Sequence, residues 1–203
     1  MAARKPKPVT AKPKSTAKAK ATPAATHVAL LRGINVAGKN MLPMAELAKL
    51  LEQAGGRDVR TYIQSGNAVF SASAAVAASL AAKLSAAIEA RHGLRVPVVV
   101  RTVAELQAVA AKNPYLAEGE DTKRLNVAFL QQAAAASAGK ALDPGRSPPD
   151  RFTLRGRELY LCLPNGVGKT KYTSDYLDRT LGTVCTIRNW NTVLALCELT
   201  GKL

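Results

Sequence analysis

One succession of apolar runs, turns and capping residues occurs twice in this chain, and that repetition confines it to few folds. In the first half, His27 to Arg32 reads as a short buried strand. A glycine-rich loop follows, then a helix from about Pro43 to Ala54 with Met44, Leu47, Ala48 and Leu51 on one stripe. Pro43 suits the first helical position and Gly55 the residue after the end. A hairpin comes next: Asp58 to Gln64, a Ser65-Gly66-Asn67 turn, and Ala68 to Ser71. Ser73 caps a long helix carrying Val76, Leu80, Leu84 and Ile88, closed by Gly93. Val96 to Arg101 is a strand, with Pro97 pointing to a sheet edge or to the strand's first residues. Thr102-Val103-Ala104-Glu105 is a capping box for a trailing helix, which Asn113-Pro114 ends.

The second half follows the same order. Leu125 to Leu130 reads as a strand, and the alanine-rich run from Gln131 to about Ala141 as a helix. Asp143 to Asp150 is a loop. Phe152 to Arg155 and Glu158 to Leu163 pair around Gly156, with Leu159, Leu161 and Leu163 on one face and Tyr160 and Cys162 on the other. A helix from about Ser174 to Leu181 ends at Gly182, and a short strand spans about Val184 to Ile187. The last helix carries a stripe of Trp190, Val193, Leu194 and Cys197. Each half is thus β-α-β-β-α-β with a trailing helix. The expected fold class is α+β, two ferredoxin-like units related by structural duplication, with helices packed on one face of each antiparallel sheet. The acidic stretch Glu118-Gly119-Glu120-Asp121 reads as the connector, giving units over residues 27–117 and 118–203.

Charge separates the remaining residues from both units. Lys and Arg number 29 against 14 acids, a formal charge of +15. Seven of the basic side chains and none of the acids lie in residues 1–26, otherwise mostly Ala, Pro, Thr and Ser. Such a segment has almost nothing to bury against its ordering entropy, so a disordered tail is expected there. Its charge suits either solubilisation or a sequence-independent contact with nucleic acid. No stretch approaches the roughly 20 apolar residues of a membrane helix. The start, Met1-Ala2-Ala3-Arg4-Lys5-Pro6, lacks the apolar run of a secretory signal. Cys162, Cys185 and Cys197 form neither a C-x-x-C pair nor an even disulfide set. The expectation is a cytoplasmic protein; membrane, disulfide-scaffold and zinc-ribbon classes are excluded.

Two loops imitate a phosphate-binding loop, and each fails a specific test. Gly33-Ile34-Asn35-Val36-Ala37-Gly38-Lys39-Asn40 matches G-x-x-x-x-G-K but ends in Asn, without the hydroxyl that ligates magnesium. Gly166-Val167-Gly168-Lys169-Thr170 has the Lys and the hydroxyl, but Leu163 stands at the first glycine position and Pro164 removes an amide donor. A milder anion-binding turn of glycine amides and one Lys fits either loop. Nucleophile-and-base chemistry is poorly supplied. His27 and His92 have no partners at metal-ligand spacing, and no carboxylate pair recurs at helical spacing. Neither metal nor cofactor is expected.

Four blocks carry a family resemblance. They are Ala29-Leu30-Leu31-Arg32-Gly33-Ile34-Asn35-Val36-Ala37-Gly38-Lys39-Asn40 with Pro43-Met44; Thr61-Tyr62-Ile63-Gln64-Ser65-Gly66-Asn67-Ala68-Val69-Phe70; Pro164-Asn165-Gly166; and Arg188-Asn189-Trp190-Asn191-Thr192-Val193. Together they resemble the bacterial domain-of-unknown-function family 1697, over roughly residues 27–200. The resemblance implies a cytoplasmic, stand-alone α+β protein of duplicated ferredoxin-like architecture, and no particular reaction. Ala37 departs from the pattern, standing where a second glycine is usual.

The candidate ligand-binding residues are the cationic and amide side chains at element ends. Arg32, Asn35, Lys39 and Asn40 follow the first strand; Gln64, Ser65 and Asn67 flank the hairpin turn. Asn165 and Lys169 follow the second hairpin, and Arg188, Asn189 and Asn191 precede the last helix. Bland roles compete for some: Asn67 as a turn former and Asn189 as a helix cap. Arg32 emerges at a strand end beside a glycine loop, suited to a carboxylate or phosphate. The leading expectation is a binding module for an anionic ligand, either a phosphate-containing small molecule or, through the tail, a nucleic acid backbone. Base readout by an RNA-binding sheet is disfavoured because Phe70, Phe129 and Tyr160 are isolated aromatics. One alternative is an enzyme using Arg32 and Lys39 as anion clamps, which requires the loop clusters to converge in one cleft. The other is a non-catalytic homodimeric interaction protein.

Overall fold

Apolar residues at consecutive positions of a strand require cover on both faces, and the two central strands show this. The structure is a computed structural model describing residues 24–201. The first sheet contains β1 (Ala25–Leu31), β2 (Arg57–Tyr62), β3 (Asn67–Ala72) and β4 (Val98–Thr102), in the order β2-β3-β1-β4. The second contains β5 (Leu125–Leu130), β6 (Arg151–Arg155), β7 (Glu158–Cys162) and β8 (Cys185–Asn189), in the order β6-β7-β5-β8. All pairings are antiparallel. The two orders are the same when the second set is renumbered, so the ferredoxin-like duplication holds.

Period-two alternation divides each central strand between two cores. In β1, Ala29 and Leu31 face an outer core with α1 (Met44–Gln53) and α2 (Ala74–His92), through Leu47, Leu51, Leu80, Leu84 and Ile88. Val28 and Leu30 face a central core shared by both sheets. In the second sheet Ala128, Leu130, Leu159, Leu161 and Leu163 face outward with α6 (Ser174–Leu181), while Val127, Phe129, Tyr160 and Cys162 face the central core. The trailing helices α3 (Val103–Ala111) and α7 (Trp190–Thr200) pack against each other, placing Leu106, Val109, Trp190, Val193 and Leu196 in that core. Helices therefore lie over both faces of each sheet rather than one.

Caps follow the sequence closely. Ser73 Oγ accepts from the Val76 amide, and Gly93 closes α2 at φ 65°. Thr102 and Glu105 form the capping box of α3, and Asn113 caps the short α4 (Pro114–Ala117). Pro43 is the N-cap of α1 and not its first helical residue.

Glu105 makes one consequence of capping measurable. Burial alone raises its pKa, but hydrogen bonds from the Thr102 amide and hydroxyl, with Arg157 nearby, bring it below its ordinary 4.5. A carboxyl depressed by folding stabilises the native state above its unfolded pKa and loses that contribution as pH falls through the folded value. Glu105→Gln is therefore expected to flatten the acid limb of stability below about pH 4.5 in urea titrations at stepped pH. An unchanged slope would contradict the cap.

Four local expectations differ. The alanine-rich run gives only a short α5 (Ala136–Lys140) instead of a helix from Gln131 to Ala141. Gln131 and Gln132 instead donate their amides to the Val184 carbonyl and Thr183 Oγ1, tying the chain after β5 to the segment that leads into β8. An alanine surface has little to bury, and Leu142, Tyr172, Leu177 and Leu181 cover that face. In α7 the buried stripe uses Leu196, while Leu194 is exposed. β1 begins at Ala25, so Thr26 pairs with Ser71, whereas the rest of the expected tail, residues 1–23, lies outside the described residues. Finally, β8 runs on through Arg188 and Asn189, which buries Arg188 in the sheet.

Candidate functional site

The duplication places two arginines in equivalent positions. Arg101 in β4 lies opposite Val28, and Arg188 in β8 lies opposite Val127, the corresponding residue of the other central strand. Each is followed directly by the residue that caps the trailing helix, Thr102 or Asn189. Each guanidinium crosses to the other unit. Arg101 Nη2 donates to the carbonyls of Leu130 and Arg157; Arg188 Nη2 donates to those of Leu31 and Gly66. The register makes Leu130 the counterpart of Leu31, so the two clasps are reciprocal.

Their Nε partners differ. Arg101 Nε donates to the Glu158 carboxylate at 3.0 Å, whereas Arg188 Nε donates to the Asn67 amide oxygen at 2.6 Å. Asn67 pairs with Leu30 and Glu158 with Phe129, so the two occupy equivalent places. Around Arg188, Nη1 donates to Thr186 Oγ1 and the Ile187 carbonyl, so every N–H of the fork meets a neutral acceptor. Burial lowers the basicity of Arg101, with Glu158 pulling it back up. Burial alone pulls Arg188 down to about 10. Arg188, only 8 % exposed, is thus a hydrogen-bonded cation without a carboxylate.

Beside it a cleft of about 420 Å³ opens between the units, lined by Arg32, Gly33, Ile34, Val36 and Ser65 of the first and Val167, Thr170, Ser174, Thr186, Ile187 and Arg188 of the second. Arg32 and Arg188 are therefore on one wall system and not on opposite faces. Arg32 is itself tied up. Its Nη1 forms an ion pair with Asp178 of α6 and donates to the Cys185 carbonyl, bolting β1 to the other unit.

The other candidate residues divide into loop formers and rim. Asn35 holds Leu42 and the Gln64 carbonyl, and Asn40 donates to the Gly33 carbonyl. Asn67 Nδ2 donates to Ser65 Oγ and the Tyr62 carbonyl. Asn189 caps α7 through the Thr192 amide. Lys39, Gln64, Asn165, Lys169 and Asn191 are exposed and do not line the cleft. Outside the candidate ligand-binding residues were Arg101, Glu158, Ser174 and Thr186, and also Thr170, read only as the hydroxyl of the second phosphate-loop imitation. The signal for the arginine pair was present: Val98-Val99-Val100-Arg101-Thr102 and Cys185-Thr186-Ile187-Arg188-Asn189 are both apolar runs ending in Arg and a cap residue.

Strain gathers at the same place. Asn35, Ala37, Asn40 and Ile63 all have φ between 46° and 54°, and Ile63 is β-branched. Gly66, at φ 76°, has room for no side chain: a Cβ there would lie 2.8 Å from Leu31 Cβ and 2.9 Å from Ile34 Cδ1. Gly66→Ala is expected to cost about 2 kcal/mol, read as a lowered urea midpoint, from strain and overpacking together. A cost under about 0.5 kcal/mol would contradict that close approach.

Two ferredoxin-like units clasped by reciprocal arginines, with one clasp beside an inter-unit cleft, define a duplicated α+β protein with a cationic recess at this junction. The chain belongs to the family described as "Protein of unknown function (DUF1697)", which it matches over residues 24–160. That match ends within β7, before the cleft's second wall. Among solved structures, it is similar to the conserved bacterial protein SP0830 from Streptococcus pneumoniae. The two share 22 % identity and a TM-score of 0.65 over 87 % of this chain and 99 % of the other, a likeness of fold. No curated protein gave a significant sequence match. No described helix is long and apolar enough to cross a membrane.

Proposed function

We propose that this protein is a binding module for an anionic small molecule, held in the cleft between the two units. The observation that carries the reading is Arg188: a buried guanidinium with neutral acceptors only, lining a cleft of about 420 Å³. An unneutralised buried cation costs free energy, and an anion in the adjoining space offsets that cost. The hydroxyls of Ser65, Thr170 and Ser174 supply polar contacts, and Ile34, Val36, Val167 and Ile187 supply an apolar wall. Binding is favoured over catalysis because, among the described residues, no His, Cys, Asp or Glu lines the cleft. The neighbouring Cys185 thiol is pushed up to about 12, mainly by burial and further by Asp178, and so stays protonated. Titration of the full-length, 15N-labelled chain with small anions at constant ionic strength tests this. Saturable amide shifts at Gly33, Ile34, Ser65, Val167 and Thr186 are expected; shifts confined to other residues would refute it.

A separate charge-based contact rests on residues 1–26, with seven basic side chains and no acid. We propose a non-specific grip on nucleic acid there, which weakens steeply between 50 and 200 mM salt in filter binding. Binding that survives removal of that segment would contradict it.

A further inference from the structure

We propose that the cleft is built for a monoanion, the ligand's oxyanion standing in for the carboxylate that the duplication omits at Asn67. This inference rests on the anion-binding reading above. Its basis is a comparison within the molecule. At the Arg101 clasp the chain supplies its own counter-charge, Glu158. At the equivalent position of the Arg188 clasp it supplies an amide of nearly the same shape, which keeps the hydrogen bond and removes the charge.

The count of charge around the cleft gives the ligand class. Among the described residues, Arg32 and Arg188 are the charged side chains that line it. Arg32 is already neutralised by Asp178, leaving one positive charge unmatched. A carboxylate or a phosphodiester balances that charge. A phosphate monoester dianion leaves an excess negative charge against low-dielectric walls. Because each N–H of Arg188 already has an acceptor, the anion is attracted by field and hydrogen-bonds to hydroxyls of the cleft. Leu31, Ile34, Val36, Val167 and Ile187 receive an apolar body attached to the head group. Asn67 is then the residue that sets charge specificity.

The test is calorimetric and thermal-shift titration of the full-length chain at pH 8 and fixed ionic strength with butyrate, diethyl phosphate and ethyl phosphate. At least one of the two monoanions is expected to bind saturably and more tightly than the dianionic ethyl phosphate, the tighter one naming the head group. Asn67→Asp places a carboxylate beside Arg188 and is expected to weaken that monoanion at least tenfold. Asn67 also donates to Ser65 and Tyr62, so Ser65→Asp, at an exposed turn position lining the cleft, serves as the second variant and decides alone should the first not fold. Undiminished binding by Ser65→Asp or folded Asn67→Asp would overturn the proposal, as would preference for the dianion. Saturable binding by the wild type in either case leaves the anion-cleft reading standing. A wild type that binds none of the three overturns both.

Discussion

Arg188→Met lowers the free energy of unfolding by about 3–5 kcal/mol, with little loss of buried side-chain volume. The guanidinium donates to the carbonyls of Leu31 and Gly66, to Asn67 Oδ1 and to Thr186 Oγ1, and methionine replaces none of these bonds. Buried acceptors left without donors cost about 1–3 kcal/mol each; the Gly66 carbonyl keeps the Leu31 amide and the Leu31 carbonyl a long bond from Thr186, and the adjoining losses do not add independently. Removing the unneutralised charge returns part of the loss, which keeps the expected figure below the sum. Urea denaturation followed by the fluorescence of Trp190, the single and buried tryptophan, reads the change. A loss under about 1 kcal/mol would mean that the clasp does not hold the units together.

The second large effect belongs to the other clasp. Glu158→Gln keeps an oxygen for Arg101 Nε but withdraws the counter-charge from a guanidinium whose side chain is fully buried. The expected cost is about 2–3 kcal/mol, smaller than for a truncation because the hydrogen bond survives. The variant thereby brings Arg101 closer to the electrostatic state of Arg188, with Arg157 and Glu105 as its remaining charged neighbours. Its stability should acquire a dependence on anion concentration that the wild-type clasp at Arg101 lacks. Equal stability of Glu158→Gln and wild type in low-salt buffer would show that Glu158 contributes no counter-charge.

Residues whose role is set locally were legible without coordinates. Ser73, Thr102 with Glu105, and Gly93 act within one helical turn of themselves, and each caps as its spacing indicates. The alternation of Leu159, Leu161 and Leu163 against Tyr160 and Cys162 likewise fixed which residues face which core. What sequence spacing missed depends on the other unit. Arg32 looks like a free anion clamp until Asp178, 146 positions away, is seen against it. Arg188 reads as a loop residue until β8 extends through it, and its significance emerges only by comparison with Arg101. Asn67 is a ligand-binding candidate in the sequence with a turn role competing, and it does hold the turn. Its second role, as the neutral counterpart of Glu158, follows from strand register that spans both sheets. The alanine run after β5 failed for a different reason: helix propensity without an apolar stripe yields to the backbone partners at Thr183 and Val184.

Crystals of the full-length chain grown with diethyl phosphate would test the central claim most directly. Diester density in the cleft between Ser65 and Thr170, with Arg188 still bound to Asn67 and the Leu31 carbonyl, is the predicted result. A cleft holding only water both at saturating diester and, in separate crystals, at saturating butyrate, or Arg188 swung out to a carboxylate of its own chain, would contradict it.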